Sequence, residues 1–282
     1  LGLRGWVTVR DIDFGPVESA DPPRLYRLHA EEALTPEELE AAARAHERGE
    51  RLIMHAAETE HRIRLVRERF GTSTIRLLDR YGLLSPRMLL SHAVYVDEEE
   101  RARLAELDVP IVSSPTAEMK LSDGSAPVAD YLDRGMCVAL GTDCAVCNNG
   151  NDMFLEMRQA GLTQKLRYGA DAMPAERILR MATRNGARAL GGDGLFGARR
   201  EGLAADLILI DAMNPRMQPL VHRDDYSNVA ANLVYAATGQ DVTDVMIGGR
   251  WVVRDRRLAA ANADGIWSEL ADAAATLYDR IL

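Results

Sequence analysis

Residues 51–58 read Arg51-Leu52-Ile53-Met54-His55-Ala56-Ala57-Glu58, and residues 88–94 read Met88-Leu89-Leu90-Ser91-His92-Ala93-Val94. Each holds a short apolar run, and each run meets a histidine. Runs of this length suit strands buried on both faces, the kind found in parallel sheets covered by helices. The charged stretch between them predicts one helix running to about Tyr81. Two further apolar runs follow, Val109-Pro110-Ile111-Val112 and Cys137-Val138-Ala139-Leu140. Helices are expected at Asp97 to Leu107, with Asp97 and Glu100 as a capping box, and around Val128 to Arg134. Upstream, Thr35-Pro36-Glu37-Glu38 reads as another box with Pro in the first turn, opening a helix that passes Ala45 and stops near Gly49.

Strand and helix alternating at this spacing mean βαβ units and a parallel sheet. Periodicity does not separate an open sheet from a closed (β/α)8 barrel; the polar residues do. His55, His92 and Asp143 each lie at or near the C-terminal end of a different strand. In a barrel those ends share one rim, where active sites sit. After Gly191 the pattern changes. Ala205 to Ile210 reads as a strand, Val245 to Val253 as a hairpin about Gly248-Gly249, and Ile266 to Ile281 as an amphipathic helix. The expected organisation is a (β/α) barrel over 1–200, part of a β-sandwich over 201–258 and a C-terminal helix over 259–282.

Composition narrows the class. An apolar share of 47% and a charged share of 27% over 282 residues are those of a globular protein with ample core. The net charge of −9 argues against a surface that tracks nucleic-acid phosphates, and no run has the apolar length of a membrane span. The acidic run Asp97 to Glu100 is a solvated helix start. Cys137, Cys144 and Cys147 give an odd count, which disfavours a secreted disulfide framework and suits a reducing, cytoplasmic setting. Cys144-x-x-Cys147 lacks the second ligand pair of a structural zinc site and reads as a packed loop. The opening residues, Leu1-Gly2-Leu3-Arg4-Gly5-Trp6, are neither a signal peptide nor an initiator Met and read as the start of a fragment.

Taken singly, the polar residues are ambiguous. A histidine in an apolar strand is more often a satisfied core residue than a ligand. Asp143, in Gly141-Thr142-Asp143, could equally cap the next helix, although a carboxylate following an apolar strand is costly to bury unless paired or metal-bound. Together, two histidines and an aspartate on three strands, with Glu58 beside the first, form a set that could activate water through a metal. His29, His46, His61 and His222 read as surface residues.

The span from Ile53 to Val253 resembles the amidohydrolase superfamily, in particular the methylthioadenosine/S-adenosylhomocysteine deaminases and s-triazine hydrolases. The resemblance is carried by His55-Ala56-Ala57-Glu58-Thr59, Leu90-Ser91-His92-Ala93-Val94, Ser114-Pro115-Thr116-Ala117-Glu118-Met119-Lys120-Leu121 and Ala139-Leu140-Gly141-Thr142-Asp143. It continues through Asn148-Asn149, Asp152 to Arg158, Gly186 to Gly191 and Gly202 to Leu207. The resemblance implies an incomplete TIM-type barrel followed by part of a small β-sandwich. It implies His55 and Asp143 as metal ligands, with Glu58, His92 and Asp143 catalytic: Glu58 shuttles a proton, His92 polarises the substrate or steadies the attacking hydroxide, and Asp143 also takes the water's proton. The cofactor implied is one divalent ion, zinc ahead of iron. The substrate implied is a small heterocycle such as an adenosine derivative, which loses an amine by hydrolysis. An 8-oxoguanine-type deaminase or a triazine chlorohydrolase is the alternative. The family's habit implies a homo-oligomer, with neither nucleic acid nor membrane as a partner.

One departure stands out. The family's first strand supplies a His-x-His pair, and the chain contains none. Leu1 to Val9 most resembles the third barrel strand, and Phe14 to Arg24 looks short for the helix that the family places there. The expectation is therefore a chain lacking the first strands, holding two of four metal ligands, with weak metal binding and no useful turnover by itself. A non-catalytic homologue is the rival reading.

Overall fold

Among the described residues, five short strands pair in parallel and in chain order: β1 (Leu25–Arg27), β2 (Arg51–Ala56), β3 (Met88–His92), β4 (Ile111–Ser113) and β5 (Val138–Leu140). The computed structural model describes residues 25–28, 31–259 and 262–281. The readings of Leu1 to Val9, of Phe14 to Arg24 and of His29 lie outside those residues.

Helices fill the connections: α1 (Pro36–Glu47), α2 (Glu60–Phe70), α3 (Thr74–Arg80), α4 (Glu98–Glu106), α5 (Pro115–Lys120) and α6 (Val128–Asp133). After β5 come α7 (Ala145–Asn148), α8 (Met153–Tyr168), α9 (Ala175–Met181) and α10 (Arg184–Ala189). Local chemistry sets the helix ends. Thr35 accepts the Glu38 N–H at 3.1 Å, and Asp97 and Glu100 close a reciprocal capping box on α4. The single charged helix expected to Tyr81 is two. Gly71, in the left-handed conformation at φ +67°, ends α2, and Ser73 caps α3 by accepting the Arg76 N–H.

Strand register sorts the side chains into two layers. Leu52 pairs with Met88, Met54 with Leu90, Leu90 with Ile111, and Ile111 with Val138; all are buried in the large core shared with the helices. Each fully buried leucine of that layer is worth about 1.5–3 kcal/mol relative to exposure. The alternate positions, Ile53, Leu89, Val112 and Ala139, build a smaller cluster with Cys137, Ala189 and Leu190 on the other face. His55 and Ser91 continue that second face toward the C-terminal ends.

His46, expected at the surface, is only 7% exposed. It follows Leu39 and Ala42 by seven and four residues, which puts it on the buried stripe of α1. Burial, and then the Arg87 guanidinium, lower its pKa. His222 is exposed, with its Nδ1 3.2 Å from Ser227 Oγ.

Beyond residue 200 the pairing becomes antiparallel. β6 (Leu207–Ile210), β7 (Val242–Ile247), β8 (Arg250–Arg254) and β9 (Arg257–Leu258) form one sheet in that order. Gly248 and Gly249 turn the β7–β8 hairpin, both with positive φ as its two-residue loop demands. α11 (Val229–Tyr235), between β6 and β7, packs on α8 and α9, and Met217, Val234 and Ala237 join the large core. α12 (Ala263–Ile281) is amphipathic and exposes Trp267, Leu270, Leu277 and Tyr278. No helix among the described residues is long and apolar enough to cross a membrane.

Candidate active site

The histidines and carboxylates singled out in the sequence meet at one end of the parallel sheet. His55 is the fifth residue of the six in β2, His92 is the last of β3, and Asp143 lies three residues beyond β5. The register pairs His92 with Ala56, so strict alternation would turn its ring toward the helices. His92 instead has φ +72° and Ala93 φ +51°. That left-handed break ends the alternation, and the His92 ring stacks on His55 with centroids 5.3 Å apart and planes 21° from parallel. Ala57 (φ +52°) and Asp143 (φ +59°) share the conformation. Non-glycine residues adopt it at a cost, and it concentrates at functional sites. Tyr131 helps to hold the turn after β3, donating its buried hydroxyl to Ala93 O at 2.6 Å.

Three ligand-bearing side chains converge. His92 Nε2 lies 3.6 Å from Glu58 Oε1 and 3.9 Å from Asp143 Oδ2, and the ligand atoms of the trio are within 4.8 Å of one another. Glu58 and His92 are buried, and Asp143 is partly so. Arg62, one turn along α2, donates to Glu58 Oε2 and leaves Oε1 facing His92. Asp143 Oδ1 accepts the Cys144 N–H at 2.7 Å. Gly141 permits the close approach of this segment: a Cβ there would lie 2.8 Å from Val112 Cγ1.

His55 stands beside the trio and is not part of it. Its Nδ1 is 3.4 Å from Arg27 Nη2. Burial, then the neighbouring His92 and Arg27, push its pKa down to about 4, against a smaller opposing pull from Asp143. A neutral imidazole is the form that a divalent ion requires. Imidazoles with carboxylates at short range are a donor set that fits such an ion.

Near these residues lie further buried carboxylates to which the sequence reading gave no role. Glu118, in α5, accepts the Ser114 N–H at 2.8 Å, the Ser113 hydroxyl at 3.1 Å and the Ala126 N–H at 3.3 Å. Its Oε1 is 3.7 Å from His92 Nδ1. Glu156, in α8, accepts from Asn148 Nδ2 at 2.6 Å and the Thr116 N–H at 3.1 Å. Glu31 accepts the Ala57 N–H at 2.9 Å, steadying the turn that presents Glu58. The sequence signal was the position of Glu118 and Glu156 within the quoted motifs; their partners depend on how the loops fold. His61 is exposed, as expected, and with Glu58, Arg62, Leu65, Leu121 and Asp123 lines a cleft of about 430 Å³. That volume is in the range of small-molecule sites. The Cys144 and Cys147 sulfurs are 2.8 Å apart beside Asp143, and both thiols are free.

The sequence profile of the amidohydrolase family matches residues 27–252. A 5-methylthioadenosine/S-adenosylhomocysteine deaminase of Syntrophobacter fumaroxidans is 40% identical over 227 residues, covering 80% of this chain and 50% of that protein. A 5'-deoxyadenosine deaminase of Methanothermobacter thermautotrophicus is 39% identical over 237 residues, covering 84% and 53%. Among solved structures, an adenosine deaminase from Xanthomonas campestris with bound zinc superposes with a TM-score of 0.83 at 30% identity, over 91% of this chain and 57% of that one. Atrazine chlorohydrolase from Arthrobacter aurescens, in a mutant form complexed with zinc and atraton, gives 0.80 at 26% identity, over 88% and 54%. The chain spans about half the length of the curated relatives it matches. The likeness to solved structures places the parallel sheet in a TIM-type barrel.

Proposed function

We propose, for a chain that belongs to the amidohydrolase family, that it is the part of a metal-dependent aminohydrolase carrying Glu58, His92 and Asp143, and that it acts on an adenosine derivative. The observation that carries this reading is the convergence of Glu58 and Asp143 on His92 at the ends of parallel strands. Similarity of 35–40% to deaminases of adenosine derivatives supports the substrate class over a triazine, whose hydrolase is 26% identical.

His55 and Asp143 are the residues proposed to hold a divalent ion, zinc in preference to iron, zinc being the ion bound in the structural relatives. Bound there, the ion would supply a Lewis acid that polarises water. The chain's own groups do the rest. Glu58 is tethered through Oε2 to Arg62, so its Oε1 is the atom that moves protons between attacking water, ring nitrogen and departing ammonia. His92 orients the water or the substrate from the floor of the site. Asp143 takes a proton as well as contributing a ligand. The cleft beside Glu58 gives the heterocycle its approach.

The change from parallel to antiparallel pairing supports dividing the chain into a barrel over 1–200, a sandwich part over 201–258 and a terminal helix. A cytoplasmic setting and assembly into homo-oligomers belong to the same proposal; the three free cysteines accord with the first. The test is ammonia release from 5'-deoxyadenosine, methylthioadenosine and S-adenosylhomocysteine by the zinc-loaded protein, in its complete natural length and as these 282 residues. Release from at least one nucleoside by the complete protein, abolished by Asp143→Asn, is expected, with no useful release from these 282 residues alone. Release from none of them, with metal bound, would overturn the reading.

A further inference from the structure

We propose that Cys144 and Cys147 form a modification site: an oxidisable dithiol that a hydroperoxide closes into an internal disulfide and that small thiols reopen. The inference goes beyond the aminohydrolase reading and does not depend on it.

The two sulfurs are 2.8 Å apart. Bond formation takes them to about 2.05 Å. A metal would ask for the opposite movement: at a Zn–S length of about 2.3 Å, tetrahedral geometry sets two thiolates about 3.8 Å apart. Among the described residues, Asp143 is the only further ligand grouped with the pair, and its Oδ1 already accepts the Cys144 N–H at 2.7 Å. The pair is therefore closer to a bond than to a chelate.

The backbone is set for that bond. Cys144 immediately precedes the four-residue α7 and Cys147 lies within it, three residues on, a spacing that brings two side chains to one side of a helical turn. The Cys147 and Asn148 N–H groups both donate to Cys144 O at 3.0 Å. Lys120 Nζ donates to Val146 O at 2.7 Å, and Asn148 Nδ2 donates to Glu156 at 2.6 Å. With the turn pinned to α5 and α8, side-chain rotation alone closes the gap.

Access decides which thiols react. Cys144 is exposed, Cys147 is partly so, and Val146 between them is 81% exposed. Cys137 is 3% exposed, its sulfur faces Asn185 O at 3.4 Å, and burial pushes its pKa up to about 11. With hydrogen peroxide the step balances without a further reactant. Cys144 Sγ attacks one peroxide oxygen, breaking the O–O bond and giving a sulfenic acid and water. Cys147 Sγ then displaces the sulfenic hydroxyl, forming the S–S bond, and that hydroxyl leaves with the thiol proton as a second water. Two electrons pass from the sulfurs to the peroxide. The closed ring spans four residues, so it restrains the unfolded chain less than a long loop would. Its exposure leaves the bond open to a small thiol, which reverses the step.

The full 282-residue chain, reduced and then freed of reductant, is treated with hydrogen peroxide, unfolded and alkylated, and its cysteines are mapped by mass spectrometry. Three cysteines take the alkyl group before treatment. Afterwards only Cys137 should, with the peptide carrying Cys144 and Cys147 lighter by two hydrogens. Dithiothreitol should restore all three. Cys147→Ser should form no internal bond and halt at oxidised Cys144. Three alkylated cysteines after peroxide, separate sulfinic acids on the pair, or a bond to Cys137 or to a second chain would overturn the proposal. So would a link that dithiothreitol leaves closed. If Cys147→Ser does not fold, the map of the wild-type chain alone decides. Ammonia release plays no part in this readout, so a chain that closes the bond yet turns over no nucleoside sinks only the functional reading.

Discussion

Substituting His55 by Gln should remove a large part of the protein's acid sensitivity in the metal-free state. Burial is the first cause of the low His55 pKa, with His92 and Arg27 adding to it, and the pKa falls from 6.5 to about 4. The unfolded chain therefore binds this proton more readily than the folded one between those values. Its contribution is complete above the unfolded pKa and is lost as pH falls toward the folded one. One pKa unit is about 1.4 kcal/mol, and linkage integrated from pH 7 to pH 5 gives a loss of about 2 kcal/mol from this one group. Other groups titrate in the same range, His46 among them, so the difference between wild type and His55→Gln is the useful quantity. Urea unfolding of both proteins at the two pH values measures it, and the His55 Cε1 proton followed by NMR gives the pKa directly. Wild type should lose about 2 kcal/mol more than the variant. Parallel losses, or a folded-state His55 pKa above 6, would refute the assignment of the shift to burial beside His92 and Arg27.

In the complete natural protein, Glu58→Gln should retain metal and lose about 10²–10⁴ in rate, because its proposed work is proton transfer; Asp143→Asn should lose both, as metal analysis and steady-state rates would show. Gly141→Ala would place a methyl 2.8 Å from Val112 Cγ1 and should cost about 1–3 kcal/mol by urea unfolding, relieved in part by Val112→Ala. Tyr131→Phe leaves Ala93 O without its buried donor and should cost about 1–3 kcal/mol, with faster hydrogen exchange in the 92–95 turn as the local signature.

The strands carrying His55 and His92 were legible because each is an apolar run whose polar residue falls at the end where α/β folds gather their chemistry. The hairpin at Gly248-Gly249 was legible for a similar reason: two adjacent glycines between apolar runs leave few other conformations. The charged stretch to Tyr81 was read as one helix although Gly71 and Ser73 carried the stop and start signals; charge continuity masked them. His46 shares its stripe with small alanines, which weakens the apolar pattern that would have marked it as buried. The orientation of His92 could not be read at all. It depends on a left-handed φ at a residue that ordinarily avoids it, and no local pattern encodes that. The partners of Glu118 and Glu156 lie 4 to 40 residues away in sequence, so only the folded chain brings them together.

The two-layer arrangement of the strands has an evolutionary consequence. The large core between strands and helices is built from Leu52, Met54, Leu90, Ile111 and their neighbours, whereas Ile53, Leu89, Val112 and Ala139 form the small cluster on the face that carries His55 and Ser91. The catalytic candidates sit on strand ends and the turns that follow. A lineage can therefore alter the residues that greet the substrate while the helix-facing layer, where most of the folding free energy resides, stays untouched. Variation at Leu65, Leu121 and Asp123, which border the cleft, is accordingly the cheapest route by which relatives of this chain could diverge in the ring they accept.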